Sequence, residues 1–287
     1  MTTAMKMETL SEHASFGGRV GYYEHDSSVN ACRMRFAVYS PPQASAGPVP
    51  VLTYLAGLTC NEETFMIKAG AQQLAAELGL MLVAPDTSPR GCNLPGEDDD
   101  WDFGSGAGFY IDATQAPWSK HYQMESYVVR ELPNLLASEF PADLSRQGIF
   151  GHSMGGHGAL TLGLKYPEQY RSISAFAPIA APTRCPWGHK AFSNYLGDDR
   201  AEWARHDASE LARKLENASA HTPILVDQGL ADGFLEEQLY PEALEEACRT
   251  SGLPLMLRRH DGYDHGYFFI STFMADHLRH HAKSCGP

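Results

Sequence analysis

Several common kinds of function find no support in this 287-residue chain. It has no apolar run of about 18 residues, so nothing in it predicts a helix that spans a membrane. The opening "MTTAMKMETL" carries one lysine and no apolar core segment, which predicts no secretory signal. Positive charge is scarce: 22 Lys and Arg stand against 35 Asp and Glu, for a net charge of −13. Without a basic run to neutralise phosphates, a nucleic-acid partner is excluded. The same deficit means that the overall field does not draw in an anionic substrate, so any anion must be held by local donors. The six cysteines (32, 60, 92, 185, 248 and 285) contain no C-x-x-C pair. That spacing predicts reduced thiols in a cytoplasmic protein, with neither a disulfide frame nor a zinc site. No linker, composition break or internal repeat divides the chain, so residues 1–287 are expected to form one domain, with about 1–7 as a short disordered extension.

What is present is an alternation of short apolar runs with longer helical patterns. "RMRFAVYS" (33–40) alternates with period two and suits a half-buried strand. "VPVLTYLAG" (49–57), "LGLMLVAPD" (78–86), "QGIFGHS" (147–153), "RSISAFAP" (171–178), "TPILVDQG" (222–229) and "LPLMLRRHDG" (253–262) suit buried strands. Residues 63–78, 121–140, 154–166, 236–251 and 266–281 carry apolar positions near 3.6 spacing and predict helices, with Gly79 and Gly252 as stops. Alternation of this kind predicts an α/β fold with a mostly parallel sheet and helices on both faces. Ligands in such sheets sit beyond the carboxyl ends of the strands.

One of those ends is "IFGHSMGGHGAL" (149–160), where Ser153 is set among Gly151, Gly155 and Gly156. A G-x-S-x-G corner between strand and helix lifts a serine hydroxyl out of the fold and aims N–H groups at one point. A hydroxyl is a poor nucleophile until an imidazole takes its proton. Of the 13 histidines, His260 and His265 bracket the loop after the last strand. His265, at the loop tip, is preferred to the strand-like His260 as base. His152 and His157 suit local packing, and His277, His280 and His281 are expected to be solvated on the last helix. For the acid, Asp232 follows a glycine-containing turn and reaches across more easily than Asp227, which ends the apolar run and suits a structural role. The oxyanion donors expected are the backbone N–H groups of Met154, next after the serine, and of Leu58, in the loop after an early strand. Weaker signals are "EDDDWD" (97–102), a solvated acidic turn rather than a calcium loop; Trp187, a pocket wall or a partly buried surface aromatic; and Cys60, a bystander thiol beside Leu58.

With these residues in view, the chain resembles the S-formylglutathione hydrolase family, also called the esterase D family. The segments that carry the likeness are "YYEHDSSVNACRMRFAVYSPP", "YLAGLTCNEETF", "GAGFYIDAT", "YVVRELP", "GHSMGGHGAL", "PWGHKAFSNYLG", "DQGLADGFL" and "GYDHGYFFISTF". The resemblance implies a single-domain α/β-hydrolase, a cytoplasmic homodimer, that cleaves S-formylglutathione to formate and glutathione in formaldehyde detoxification. It implies Ser153, Asp232 and His265 as triad, Leu58 and Met154 as oxyanion donors, and Cys60 as a thiol beside the site. It implies no metal and no organic cofactor, glutathione being part of the substrate. A general short-chain carboxylesterase is the alternative.

Overall fold

The computed structural model describes residues 7–285. The expected N-terminal extension falls mostly outside them; Met7 already opens a strand. Nine strands form one sheet, in the order β1-β2-β3-β5-β4-β6-β7-β8-β9. They are β1 (Met7–Ser15), β2 (Gly18–Ser27), β3 (Cys32–Ser40), β4 (Val49–Leu55), β5 (Met81–Pro85), β6 (Ala142–His152), β7 (Tyr170–Phe176), β8 (Ile224–Gly229) and β9 (Leu255–His260). From β5 through β4 to β9 every pairing is parallel, while β1, β2 and β3 are antiparallel additions on one side. The parallel strands β4 and β5 are buried at every residue, as a sheet covered on both faces requires.

The helices are α1 (Glu62–Lys68), α2 (Gln72–Leu78), α3 (Met124–Ser126), α4 (Leu132–Glu139), α5 (Met154–Lys165), α6 (Pro186–Tyr195), α7 (Arg200–Ala204), α8 (Ala208–Lys214), α9 (Pro241–Ser251) and α10 (Tyr267–Cys285). Alternation along β7 shows which face each large helix covers. Ile173 lies against Gly163 of α5, while its neighbours Ser172 and Ser174 bond to His281 of α10. Helices α5 and α10 therefore sit on opposite faces.

The structure departs from the sequence expectation in several elements. The helix expected over 63–78 is two helices, because Gly70 adopts φ +67° between them. The one expected over 236–251 starts at Pro241; a single wide turn (Leu235–Leu239) precedes it, and Tyr240 at φ +51° separates the two. The strands β1 and β2 and the helices α6 to α8 were not expected.

The histidines of α10 are the clearest correction. His277 and His281 are fully buried, not solvated, and His280 is half-buried with Nε2 3.1 Å from the Ile173 carbonyl. The buried pair belongs to a polar chain with one consistent sense. Ser172 Oγ donates to His281 Nδ1 (2.6 Å), and His281 Nε2 donates to Ser174 Oγ (2.8 Å). Ser174 in turn donates to His277 Nδ1 (2.8 Å), and His277 Nε2 donates to Asp227 Oδ2 (3.2 Å). Neutral imidazoles satisfy every link, and burial accordingly pushes both histidines below their ordinary pKa.

Candidate active site

Four loops meet beyond the carboxyl ends of β4, β6, β8 and β9. Ser153 stands between β6 and α5 at φ +58°, ψ −119°, a backbone position that costs a non-glycine residue about 1–3 kcal/mol. Its N–H donates to Phe176 O, and its carbonyl accepts from His157 N and Ile179 N, so the corner is pinned on both sides. The flanking glycines are there for close approach. A Cβ on Gly155 would lie 1.9 Å from the Leu55 carbonyl oxygen, and one on Gly151 would lie 2.2 Å from Gly155 O. Helix α5 thus begins directly against the end of β4.

Gly57 brings the β4 loop to the serine: its own Cβ position is 3.1 Å from Ser153 Cβ. Tyr110 Oη donates to Ala56 O, and both Thr87 Oγ1 and the Arg90 guanidinium donate to Cys60 O. These bonds hold the segment that carries Leu58. Among the described residues, no carbonyl or side chain accepts from the N–H of Leu58 or of Met154, so both donors are available.

The loops after β8 and β9 are knitted together by Leu230 N to His260 O and Ala231 N to Tyr263 O, each 2.9 Å. Through them Asp232 and His265 meet: His265 Nδ1 is 2.6 Å from Asp232 Oδ2. The Asp232 carboxylate is fully buried and also accepts from Phe234 N and Gln228 Nε2. With Nδ1 donating to the carboxylate, Nε2 of His265 is left as the proton acceptor. The ring of His265 lies 4.4 Å from that of His152, the residue before Ser153, which brings the imidazole to the serine corner. Ser153 Oγ makes no direct hydrogen bond to His265.

The Asp227 carboxylate is engaged away from His265: it accepts from the side chains of Arg258, His260 and His277. His260, at the end of β9, is therefore turned to Asp227. His157 is buried with Nε2 at Phe109 O, and burial pushes its pKa down to about 3. His152 is buried with both ring nitrogens unpartnered, and burial, with the neighbouring His265, holds it neutral. Burial also raises the Cys60 thiol, against the weaker pull of a hydrogen bond from Thr64, so a resting thiolate is disfavoured.

Trp187 is buried, with its ring 4.8 Å from Phe234, which in turn lies 5.0 Å from His265. The sequence reading missed Phe234 and Trp101. Trp101 packs edge-on at 5.7 Å from Trp187 and is 57% exposed. Its signal was the one aromatic in the acidic "EDDDWD", where Asp98, Asp99 and Asp100 are exposed, as expected of a solvated turn, and Asp100 and Asp102 also pair with Lys190. Phe234, backed by Trp187 and then Trp101, walls one side of the His265 ring. Among the described residues, no helix is long and apolar enough to cross a membrane.

The chain is similar to known enzymes over nearly its whole length. The esterase family model matches residues 27–280. The S-formylglutathione hydrolase of Mus musculus is 53% identical over 280 residues, covering 97% of this chain and 99% of the relative. That of Paracoccus denitrificans is 53% identical over 279 residues, covering 97% and 98%. A solved S-formylglutathione hydrolase from Agrobacterium tumefaciens is 52% identical and superposes with a TM-score of 0.93, covering 97% of this chain and all of that one. A mostly parallel α/β sheet with a strained serine corner and this extent of identity lead to one assignment: the chain belongs to the S-formylglutathione hydrolase family of esterases.

Proposed function

We propose that this enzyme hydrolyses S-formylglutathione to formate and glutathione, with Ser153 as nucleophile, His265 as base and then acid, and Asp232 as the group that orients the imidazole. The observation that carries the reading is the 2.6 Å Asp232–His265 bond on the same rim as a serine held at φ +58°. The relatives that share half of the sequence supply the substrate by their names.

In the first half-reaction Ser153 Oγ attacks the formyl carbon and its proton passes to His265 Nε2. Asp232 stabilises the resulting imidazolium without taking the proton. The N–H groups of Leu58 and Met154 receive the oxyanion, and because they are fixed beforehand they cost no reorganisation. The carbon–sulfur bond then breaks, glutathione leaves as thiolate and takes the proton from His265. A water molecule, giving its proton to the same imidazole, attacks the formyl-serine ester. Collapse of that second intermediate releases formate and returns the proton to Ser153. Short-chain esters can follow the same route as a side activity. The reading also carries the cytoplasmic location and the homodimer that the family resemblance implies, and sedimentation of the purified enzyme reads the oligomeric state.

A formyl thioesterase needs room for little more than hydrogen at the acyl carbon and gains specificity from its leaving group. The expected order of kcat/KM is S-formylglutathione, then S-acetylglutathione and aryl acetates, with aryl butyrates last. A methylene that a pocket can house is worth only about 1–3 kcal/mol, so the glutathionyl group must supply the larger preference. A preference for butyryl esters, or indifference to glutathione, would give the function to a general carboxylesterase instead. Labelling by a fluorophosphonate should fall on Ser153 alone, and an adduct on any other serine would overturn the nucleophile.

A further inference from the structure

We infer that Cys32, Cys92 and His121 form a binding site for a thiophilic metal ion of the zinc(II) type, separate from the serine corner. Cys32 is the first residue of β3, Cys92 lies in the loop after β5, and His121 directly follows the short turn Trp118–Lys120. No spacing motif links them, which is why the cysteine pattern predicted no such site; the fold alone brings them together. One ligand atom from each lies within 4.8 Å of the others. Around a tetrahedral zinc ion, bonds of about 2.3 Å to sulfur and about 2.0 Å to nitrogen set such atoms roughly 3.3–3.8 Å apart. The three side chains therefore need to close by only about 1 Å.

The histidine is held as metal-binding histidines are held. His121 Nδ1 is 2.9 Å from the carbonyl of Asn30, which fixes the tautomer and leaves Nε2 with its lone pair. Asn30 is itself buried and tied down, its N–H at Ser27 Oγ and its Oδ1 accepting from Gln123 N.

A buried carboxylate positions the Cys92 loop. Glu97 is 2% exposed and accepts from Cys92 N (3.2 Å), Leu94 N (3.4 Å) and Tyr122 Oη (3.3 Å). Among the described residues, no lysine, arginine or histidine pairs with it. Through the Cys92 and Leu94 N–H groups Glu97 fixes the loop that presents the Cys92 sulfur, as the outer partners of metal ligands do, while zinc(II) with two thiolates is neutral as a unit and needs no further charge. Two sulfurs and one imidazole select zinc(II) over the oxygen-seeking magnesium and calcium. On binding, each thiol releases its proton to water as a sulfur–metal bond replaces S–H, and no electrons move. The ion would tie β3 to the loop that presents Thr87 and Arg90 to Cys60 O.

The test uses the whole chain, stripped with chelator and thiol reductant, then titrated with cobalt(II) and zinc(II). The expected result is about one equivalent of cobalt(II) with thiolate-to-metal charge-transfer absorption, displaced by zinc(II). Cys32→Ser and Cys92→Ser should each abolish that absorption while short-ester hydrolysis shows that the protein is folded. Glu97→Gln, which keeps the ligands, should weaken binding roughly 10-fold. Three outcomes would overturn the proposal: no charge-transfer absorption; absorption that survives both substitutions and is lost in Cys60→Ser; or a Cys32–Cys92 disulfide found by mass spectrometry in protein kept in reduced glutathione.

Discussion

Asp227 and Asp232 stand on one loop and one strand end, yet their partners differ in kind. Asp227 takes the Arg258 guanidinium at 2.6 and 2.5 Å, with His260 and His277 each at 3.2 Å. Burial alone would raise its carboxyl, but the bonds from His277 and Arg258 outweigh it and hold the group well below the usual carboxylate range. Asp232 instead holds a single imidazole together with neutral donors. Asp227→Asn should therefore act on stability, toward the lower end of the roughly 3–5 kcal/mol that breaking a buried ion pair costs, because Arg258 is partly exposed. Asp232→Asn should lower kcat by roughly 10⁴-fold, through the wrong imidazole tautomer. Thermal melting and kcat measured on both variants separate the two; a larger loss of turnover in Asp227→Asn would move the acid. Likewise, His265→Ala should lose nearly all turnover and His260→Ala little of it. Much of this was legible in sequence, because the turn "GLADG" puts Asp232 where a side chain reaches across to the next loop. The burial of His277 and His281 was not legible. Their partners Ser172 and Ser174 lie more than 100 residues away, outside any local pattern.

Among the elements, the junction of β4 with α5 is the tightest. With a Cβ 1.9 Å from Leu55 O, Gly155→Ala must push the start of α5 away from β4 and with it the Met154 N–H. Overpacking of this kind costs about 1–3 kcal/mol, and backbone contact places this position at the upper end. Denaturant unfolding should show that loss, together with a fall in kcat far beyond what stability explains; an unchanged kcat would mean that Met154 is not an oxyanion donor. The glycines of this corner announced themselves in sequence. Gly70 did not, since one glycine inside an apolar 3.6 pattern is commonly tolerated and only its φ of +67° shows the break. Strand β1 was invisible for a different reason: almost none of its side chains is buried, so "METLSEHAS" has no apolar alternation to find. Helices α6 to α8 are short and capped by Cys185, Asp199 and Asp207, and their runs are too brief for a period to emerge.

The whole molecule should be sensitive to acid. Seven histidines (25, 152, 157, 206, 277, 280 and 281) have their pKa lowered, in each case chiefly by burial. His157 falls from 6.5 to about 3 and His206 to about 4. Between those values and 6.5 the unfolded chain binds more protons than the folded one, so stability is full above about 6.5 and is lost as pH falls. Each such histidine contributes a slope of about 1.4 kcal/mol per pH unit while it titrates. Glu62, raised to about 7 by burial and then by Asp86, works in the opposite direction and offsets one of them. The expected outcome is a melting temperature that drops steeply from pH 6 to pH 4, measured in buffers of constant ionic strength; a flat profile would contradict the buried, neutral assignment. The one-way chain from Ser172 to Asp227 adds something that a sum of slopes does not contain. A proton placed on His277 would make its Nδ1 a donor, so Ser174 Oγ would accept from both imidazoles and its own hydroxyl proton would lose its acceptor. That unmet hydroxyl lies between β7 and α10, whose first turn follows His265, so acid acts on the seam that holds α10 down. Hydrogen exchange at falling pH should open α10 before the central strands, so that the loop carrying His265 loses its footing while the sheet still keeps its shape.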